Sequence, residues 1–139
     1  MFLRTILAAA LAAAAVPAAA QQMEPGEWQF RSVLTPPMGE PRTTVLKRCV
    51  TNADAGDPSR FASAGQSSGC TVTPGERTAK HYVWKVSCPQ QGMTGTGEAT
   101  FGEGKFDSEM RVTVEAAGRT MHMNNHVTGK RLGACKAGE

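Results

Sequence analysis

Alternation of apolar and polar residues is the feature that most limits how this chain can fold. It is clearest in residues 105–115, where Phe106, Val112 and Val114 fall on one face and charged or polar residues fall on the other. A period of two is that of a half-buried β-strand, whereas an amphipathic helix has a period of 3.6. The sequence therefore predicts an antiparallel β domain.

The same alternation, interrupted by Gly and Pro turn signals, predicts six or seven short strands. They are expected over residues 27–34, 43–50, 70–73, 81–88, 93–101, 105–115 and 119–128. Pro74-Gly75-Glu76 is predicted to form a hairpin turn. Residues 51–69 lack alternation, and Asp57-Pro58 within them predicts a short helix through Ala64 that lays Phe61 on the sheet. We expect an all-β, curved antiparallel meander or half-open barrel with one short helix, because a meander must curl to cover its apolar face.

The inner face of the second predicted strand stays open at this point. Val45 and Cys49 fall on one side of the strand, and Leu46 and Val50 fall on the other. Both sides are equally apolar, so alternation alone does not choose between them.

The first twenty residues are typical of a cleaved export signal. Arg4 precedes an apolar, alanine-rich run, and Ala18-Ala19-Ala20 supplies the small residues that signal peptidase accepts. The run from Ile6 to Ala20 has only fifteen residues, whereas a membrane-spanning helix needs about twenty strongly apolar ones. We expect residues 1–20 to be removed and residues 21–139 to form one periplasmic domain without a transmembrane segment.

Four cysteines follow the signal, and an even number in a small exported domain indicates a disulfide framework. If Cys70 opposes Cys88 in the predicted hairpin, the other apolar residues of the two strands also share one face. This register favours a bridge from Cys70 to Cys88 and leaves Cys49 to pair with Cys135. The two other possible pairings stay open.

The charge of the chain argues against a nucleic-acid partner. Without Arg4, the 15 basic residues fall to 14 against 12 acidic ones, which gives a formal charge of +2. The only local basic clusters are the doublets Lys47-Arg48 and Lys130-Arg131. Nucleic-acid binding needs several phosphate contacts from one clustered face, so we expect none.

The residues with the strongest metal-binding potential are His122, His126, Met121 and Met123. Imidazole and thioether groups together suit copper in an oxidising compartment. On a strand, however, the two histidines point to one face and the two methionines to the other, and His81 could join only from a neighbouring strand. We expect the methionines to pack inward and the histidines to face solvent, with no bound cofactor.

The sequence contains no recognisable catalytic motif: Cys-x-x-Cys, zinc-ligand spacings, nucleophile elbows and phosphate-binding loops are all missing. Carboxylates on neighbouring strands could in principle act as an acid and base pair. The central carboxylates are Glu98, Glu103, Asp107, Glu109 and Glu115. Alternation places Asp107 and Glu109 on a solvated face, so no enzymatic activity is expected.

Several short motifs resemble those of a known family. They are Pro25-Gly26-Glu27-Trp28, Cys49-Val50-Thr51, Val83-Trp84-Lys85-Val86-Ser87-Cys88-Pro89, Gly92-Met93-Thr94-Gly95-Thr96-Gly97-Glu98, and Gly129-Lys130-Arg131-Leu132-Gly133 with Cys135. Their order around the four cysteines is similar to that of the bacterial exported family called domain of unknown function 3617 (DUF3617). The resemblance implies a periplasmic, disulfide-bearing, mostly β domain, and it brings no established activity, cofactor or catalytic residue.

Three functions are compatible with the sequence. The first is binding of a small apolar ligand or another envelope component in a groove on the concave side of the sheet. This hypothesis requires that Trp28, Trp84, Phe101 and Phe106 do not fill the groove. The second is copper or silver binding by the histidines and methionines named above. The third is a structural role in which a sheet edge binds a protein partner.

Overall fold

The computed structural model describes residues 23–56 and 69–137. The strands are β1 (Gly26–Thr35), β2 (Arg42–Val50), β3 (Thr71–Arg77), β4 (His81–Cys88), β5 (Met93–Gly102), β6 (Lys105–Ala116) and β7 (Arg119–Gly133). A short helix, α1 (Asn52–Gly56), follows β2, and a 3-10 turn, Pro89–Gln91, joins β4 to β5. All seven strands lie in one sheet with the order β2-β1-β7-β6-β5-β4-β3.

The sheet combines a meander with an added hairpin. Strands β3 to β7 follow one another, each pairing antiparallel with the next. The β1–β2 hairpin joins this meander through β1, which pairs with β7, the last strand of the meander. Strands β2 and β3 are therefore the edges, and the sheet is open. The predicted all-β antiparallel fold with one short helix and two disulfides is confirmed.

The predicted turn at Pro74-Gly75-Glu76 is wrong, because β3 continues through these residues to Arg77. Proline is tolerated there since β3 is an edge strand and needs hydrogen bonds on one side only. The pairing of β3 with β4 shifts register between Pro74 and Arg77. The chain turns later, where the Thr78 hydroxyl accepts hydrogen bonds from the backbone N–H groups of Lys80 (3.3 Å) and His81 (3.0 Å).

Helix α1 begins directly after β2 with a side-chain cap. The backbone N–H of Asp54 donates to Thr51 Oγ1 (3.2 Å), and the backbone N–H and hydroxyl of Thr51 donate to Asp54 Oδ2 (3.2 and 3.0 Å). This reciprocal bonding is a capping box with Asp in place of Glu. The helix predicted from Asp57 to Ala64 lies outside the described residues, as do Phe61 and the predicted signal segment. No helix in the described ranges has the length and apolar character that a membrane crossing requires.

The hydrophobic core lies on one face of the sheet. Its clustered buried residues are Met23, Trp28, Phe30, Val50, Ala55, Tyr82, Trp84, Ala99, Phe101 and Phe106. Phe30 contacts Trp28 and Phe106, with ring centroids 6.0 and 5.8 Å apart. Leu46 opposes Phe30 and Val50 opposes Gly26. The inner face of β2 is therefore the one that carries Leu46 and Val50.

The two disulfides join Cys49 to Cys135 and Cys70 to Cys88. Val72 opposes Val86 in the β3–β4 hairpin, which is the register that favoured this pairing. Each bridge fastens one edge strand: the first ties the end of β2 to the segment after β7, and the second ties the start of β3 to β4. The described residues contain no free cysteine.

Candidate functional site

The four aromatic residues that the groove hypothesis depends on are buried. The exposed fractions are 1% for Trp28, 7% for Trp84, 6% for Phe101 and 8% for Phe106. All four belong to one packed cluster. These side chains therefore form the core of the domain, and they fill this part of the inner face.

The remainder of the same face is packed less completely. Register places five apolar side chains of β5, β6 and β7 there, which we call the methionine patch; they are Met93, Met110, Val114, Met121 and Met123. Each of them is only partly buried, and none belongs to the aromatic cluster. Val112 lies among these side chains and is buried, so the inner face has a closed aromatic half and a methionine half that is only partly open.

The structure does not bring the predicted histidine and methionine ligands together. His122 and His126 lie on the polar face of β7, as alternation predicts, and Met121 and Met123 lie on the inner face. His126 Nε2 is 3.0 Å from Asp107 Oδ2, and His122 Nδ1 is 3.2 Å from the Thr113 hydroxyl. Among residues 23–56 and 69–137, no three His, Cys, Asp or Glu side chains are arranged to hold a metal ion.

His81 lies on β4, which β5 and β6 separate from β7. Its Nε2 is 3.7 Å from Glu98 Oε2 on β5. This pair is on the same polar face as His126, but a different carboxylate contacts each ring. The three histidines therefore do not form one site.

Two of the central carboxylates, Glu98 and Glu109, lie directly opposite each other on the polar faces of β5 and β6. Glu109 accepts a hydrogen bond from Asn124 Nδ2 (2.9 Å) and contacts Arg111 (3.0 Å), and the Asn124 bond is the main cause that lowers the pKa of Glu109. The lowered pKa keeps this carboxylate ionised at neutral pH, so it is unsuited to act as a general acid. Asp107 is exposed beside His126. The other carboxylates are exposed as well; they are Glu98, Glu103 and Glu115.

The polar face of the sheet carries two clefts. The larger, of about 640 Å³, crosses β1, β7, β6 and β5 close to the β5–β6 turn. We call it the basic cleft, because its charged lining residues are Arg31, Lys105, Asp107 and Lys130. The smaller, of about 410 Å³, crosses β3 to β6, and its charged lining residues are Lys85, Glu98, Glu109 and Arg111. Sequence reasoning missed the basic cleft because β1 and β7 are neighbours only in the folded sheet, and it missed the smaller cleft because alternation does not give the register between strands.

The edge strand β2 is exposed over most of its length. Residues 42–48 are exposed on both faces, and Val45 and Leu46 show 53% and 48% of their surfaces. Among the described residues, no strand pairs with the outer side of β2. Charged side chains at Arg42 and Lys47 are typical of edges that resist strand addition. The edge therefore offers apolar surface together with features that oppose pairing, and it does not indicate a particular protein partner.

Comparison with known proteins identifies one family. The model of a family described as protein of unknown function (DUF3617) matches residues 23–135. The matched range contains all seven strands and both disulfides. No curated protein and no solved structure matches the chain.

Proposed function

The chain belongs to the DUF3617 family, and from this premise we propose that it is an exported, non-enzymatic binding domain for a small apolar ligand. The ligand lies against the methionine patch of the inner sheet face. One observation carries the proposal: this part of the face stays partly exposed, whereas the aromatic half beside it is closed. An apolar surface of another envelope component could bind to the methionine patch in the same way.

The free energy of burial supports this assignment. A ligand that covers exposed apolar surface gains about 25 cal/mol of binding free energy for each Å² removed from water. Methionine suits a ligand site because its unbranched, polarisable side chain adapts to differently shaped apolar surfaces. The strands beneath the patch are paired on both sides, so they provide a rigid floor under adaptable side chains.

Export and the absence of catalysis are supported by different residues. The two disulfides that join the four cysteines favour an oxidising compartment such as the periplasm, since cytosolic proteins rarely keep such bridges. Asp107 and His126 are both about half exposed, with 57% and 48% of their side-chain surfaces accessible. A solvated pair of this kind lacks the dry, shaped surroundings that acid and base catalysts normally occupy.

The proposal can be tested with the neutral apolar dye N-phenyl-1-naphthylamine, whose fluorescence rises on leaving water. We expect saturable binding to the oxidised mature protein. A variant with Met121→Gln and Met123→Gln should bind about tenfold more weakly, because an amide without a partner costs about 1 to 3 kcal/mol under an apolar ligand. The matched control is His122→Gln, which introduces the same amide between these positions but on the polar face, and it should leave binding unchanged. Absence of saturable binding, or equal binding by all three proteins, would contradict the proposal.

A second candidate is binding of Cu(I) or Ag(I), and one observation favours it. Four thioethers share the inner face on three adjacent strands; they belong to Met93, Met110, Met121 and Met123. Soft sulfur ligands suit these ions. Replacing Met121 and Met123 by Leu separates the candidates, because Leu keeps the apolar surface and removes the sulfur. Loss of Cu(I)-induced shifts of the Met methyl NMR signals, with dye binding retained, would support a metal site, and unmoved Met signals in the original protein would exclude one.

A further inference from the structure

We propose that the basic cleft is a second binding site, for an anion that carries a phosphate group. The cleft lies on the polar face of the sheet, behind the aromatic half of the inner face, and the methionine patch lies on the inner face. This inference therefore does not depend on the proposed apolar ligand. Arg31, Lys105 and Lys130 place three cations around about 640 Å³ of open space.

The register of β6 and β7 places Lys105 directly opposite Lys130. Directly opposed residues of antiparallel strands have Cβ atoms about 5 Å apart, and like charges in this position destabilise a sheet. Lys130 also opposes Gln29 on β1, and Gln29 opposes Lys47 on β2. Three lysines thus lie in one row across four strands, which raises the positive potential on this part of the face.

Neighbouring carboxylates do not neutralise the cleft. Within residues 23–56 and 69–137, Arg31, Lys105 and Lys130 form no salt bridge. The only carboxylate in the lining is that of Asp107, which contacts His126 at 3.0 Å.

Some other cations of the sheet have carboxylate neighbours. Arg111 lies 3.0 Å from Glu109, and Arg131 lies 3.9 Å from Glu24. Lys47 and Lys85 also form no salt bridge among the described residues, so what distinguishes Lys105 and Lys130 is that they lie directly opposite each other. A bound anion would remove their repulsion.

The chemistry of the lining favours phosphate among anions. A guanidinium group can donate two parallel hydrogen bonds to phosphate oxygens, and ammonium groups add point charges. Gln29 and Thr128 add neutral donors to the same lining. A site with three cations suits an anion of more than one negative charge. Free phosphate esters and anionic lipid headgroups both carry the required group, and experiment can separate these two sources.

The test uses the oxidised mature protein at low ionic strength, since salt screens exposed charges. One arm titrates inorganic phosphate against chloride at equal ionic strength and follows backbone amide NMR signals. The other arm measures sedimentation with phosphatidylglycerol vesicles, using phosphatidylcholine vesicles as the neutral reference. Lys105→Gln and Lys130→Gln should each weaken binding about fivefold, as expected for one exposed ion pair. Lys85→Gln is the matched control, because it removes the same charge from β4 on the same face but outside the basic cleft.

Each outcome decides the proposal. Phosphate binding that weakens with Lys105→Gln and not with Lys85→Gln supports a soluble phosphate ligand. Vesicle binding with the same dependence, in the absence of phosphate binding, supports a lipid headgroup. Binding in neither arm, or equal weakening by all three substitutions, overturns the proposal. In phosphate-free buffer Lys105→Gln should also raise the melting temperature, because it removes the repulsion of Lys130, and a lowered melting temperature would contradict that explanation.

Discussion

Gly97 shows how a missing side chain shapes the core of this domain. It opposes Trp84 across β4 and β5. A Cβ atom at this position would overlap the Trp84 indole ring. The ring therefore lies over the glycine backbone, and Trp84 reaches a depth at which only 7% of its surface is exposed.

Gly97→Ala is expected to lower the free energy of unfolding by about 1 to 3 kcal/mol, because the added methyl group forces the indole out of its packed position. Gly102→Ala is the matched control in the same strand, since a Cβ there meets nothing within 4 Å. Urea denaturation monitored by tryptophan fluorescence measures both variants. Equal denaturation midpoints for the two would show that the indole can move without cost.

Alternation predicts correctly which face most individual side chains occupy, but not what they meet across the sheet. It places His122 and Met123 on opposite faces of β7, and the structure confirms this. It also places Lys105 on the polar face of its strand, whereas Lys130 lies beyond residue 128, the predicted end of the last strand. Their direct opposition depends on the register of β6 with β7, and the presence of Arg31 beside them depends on β1 joining β7. The basic cleft could not be predicted because these relations are tertiary.

At the scale of elements, the strands follow from periodicity more reliably than the turns follow from turn residues. Strand β4 spans the predicted residues 81–88. Pro74-Gly75 resembles a turn, yet it lies inside β3, because an edge strand tolerates proline and a register shift. The α1 cap was available as a signal: Thr51 precedes Asp54 by three residues, the spacing of a capping box.

The hydroxyl of Thr78 closes the actual β3–β4 turn, so this side chain is expected to stabilise the hairpin. Thr78→Ala should lower the free energy of unfolding by about 0.5 to 1.5 kcal/mol, since the N–H groups of Lys80 and His81 lose their acceptor. Thr78→Ser keeps the oxygen and should preserve most of the stability. Urea denaturation compares the three proteins, and hydrogen exchange of the His81 amide reports on the turn directly. An exchange rate unchanged in Thr78→Ala would contradict this role.

For the whole molecule, the fold depends on one contact between distant parts of the chain. Pairing of β1 with β7 joins residues about a hundred positions apart, as in the opposition of Phe30 and Gly129. A Cβ at Gly129 would be 2.9 Å from the Phe30 ring, so glycine permits the two strands to pack at this point. Sequence alone predicted a meander, and it could not show that the first hairpin would be added next to the last strand.

The disulfides should stabilise the molecule unequally because they close loops of different length. The Cys49–Cys135 bridge spans 86 residues and the Cys70–Cys88 bridge spans 18. In the chain-entropy model, removing the first by C49A/C135A should cost about 4 to 5 kcal/mol, and removing the second by C70A/C88A about 3 kcal/mol. Urea denaturation of the two double variants measures the difference. The long bridge also fastens β2 to the segment after β7, next to the long-range β1–β7 pairing, so its loss should expose the amides of β1 to hydrogen exchange first. A larger loss of stability in C70A/C88A would show that the short hairpin bridge, and not the closure of the long loop, dominates the stability of the sheet.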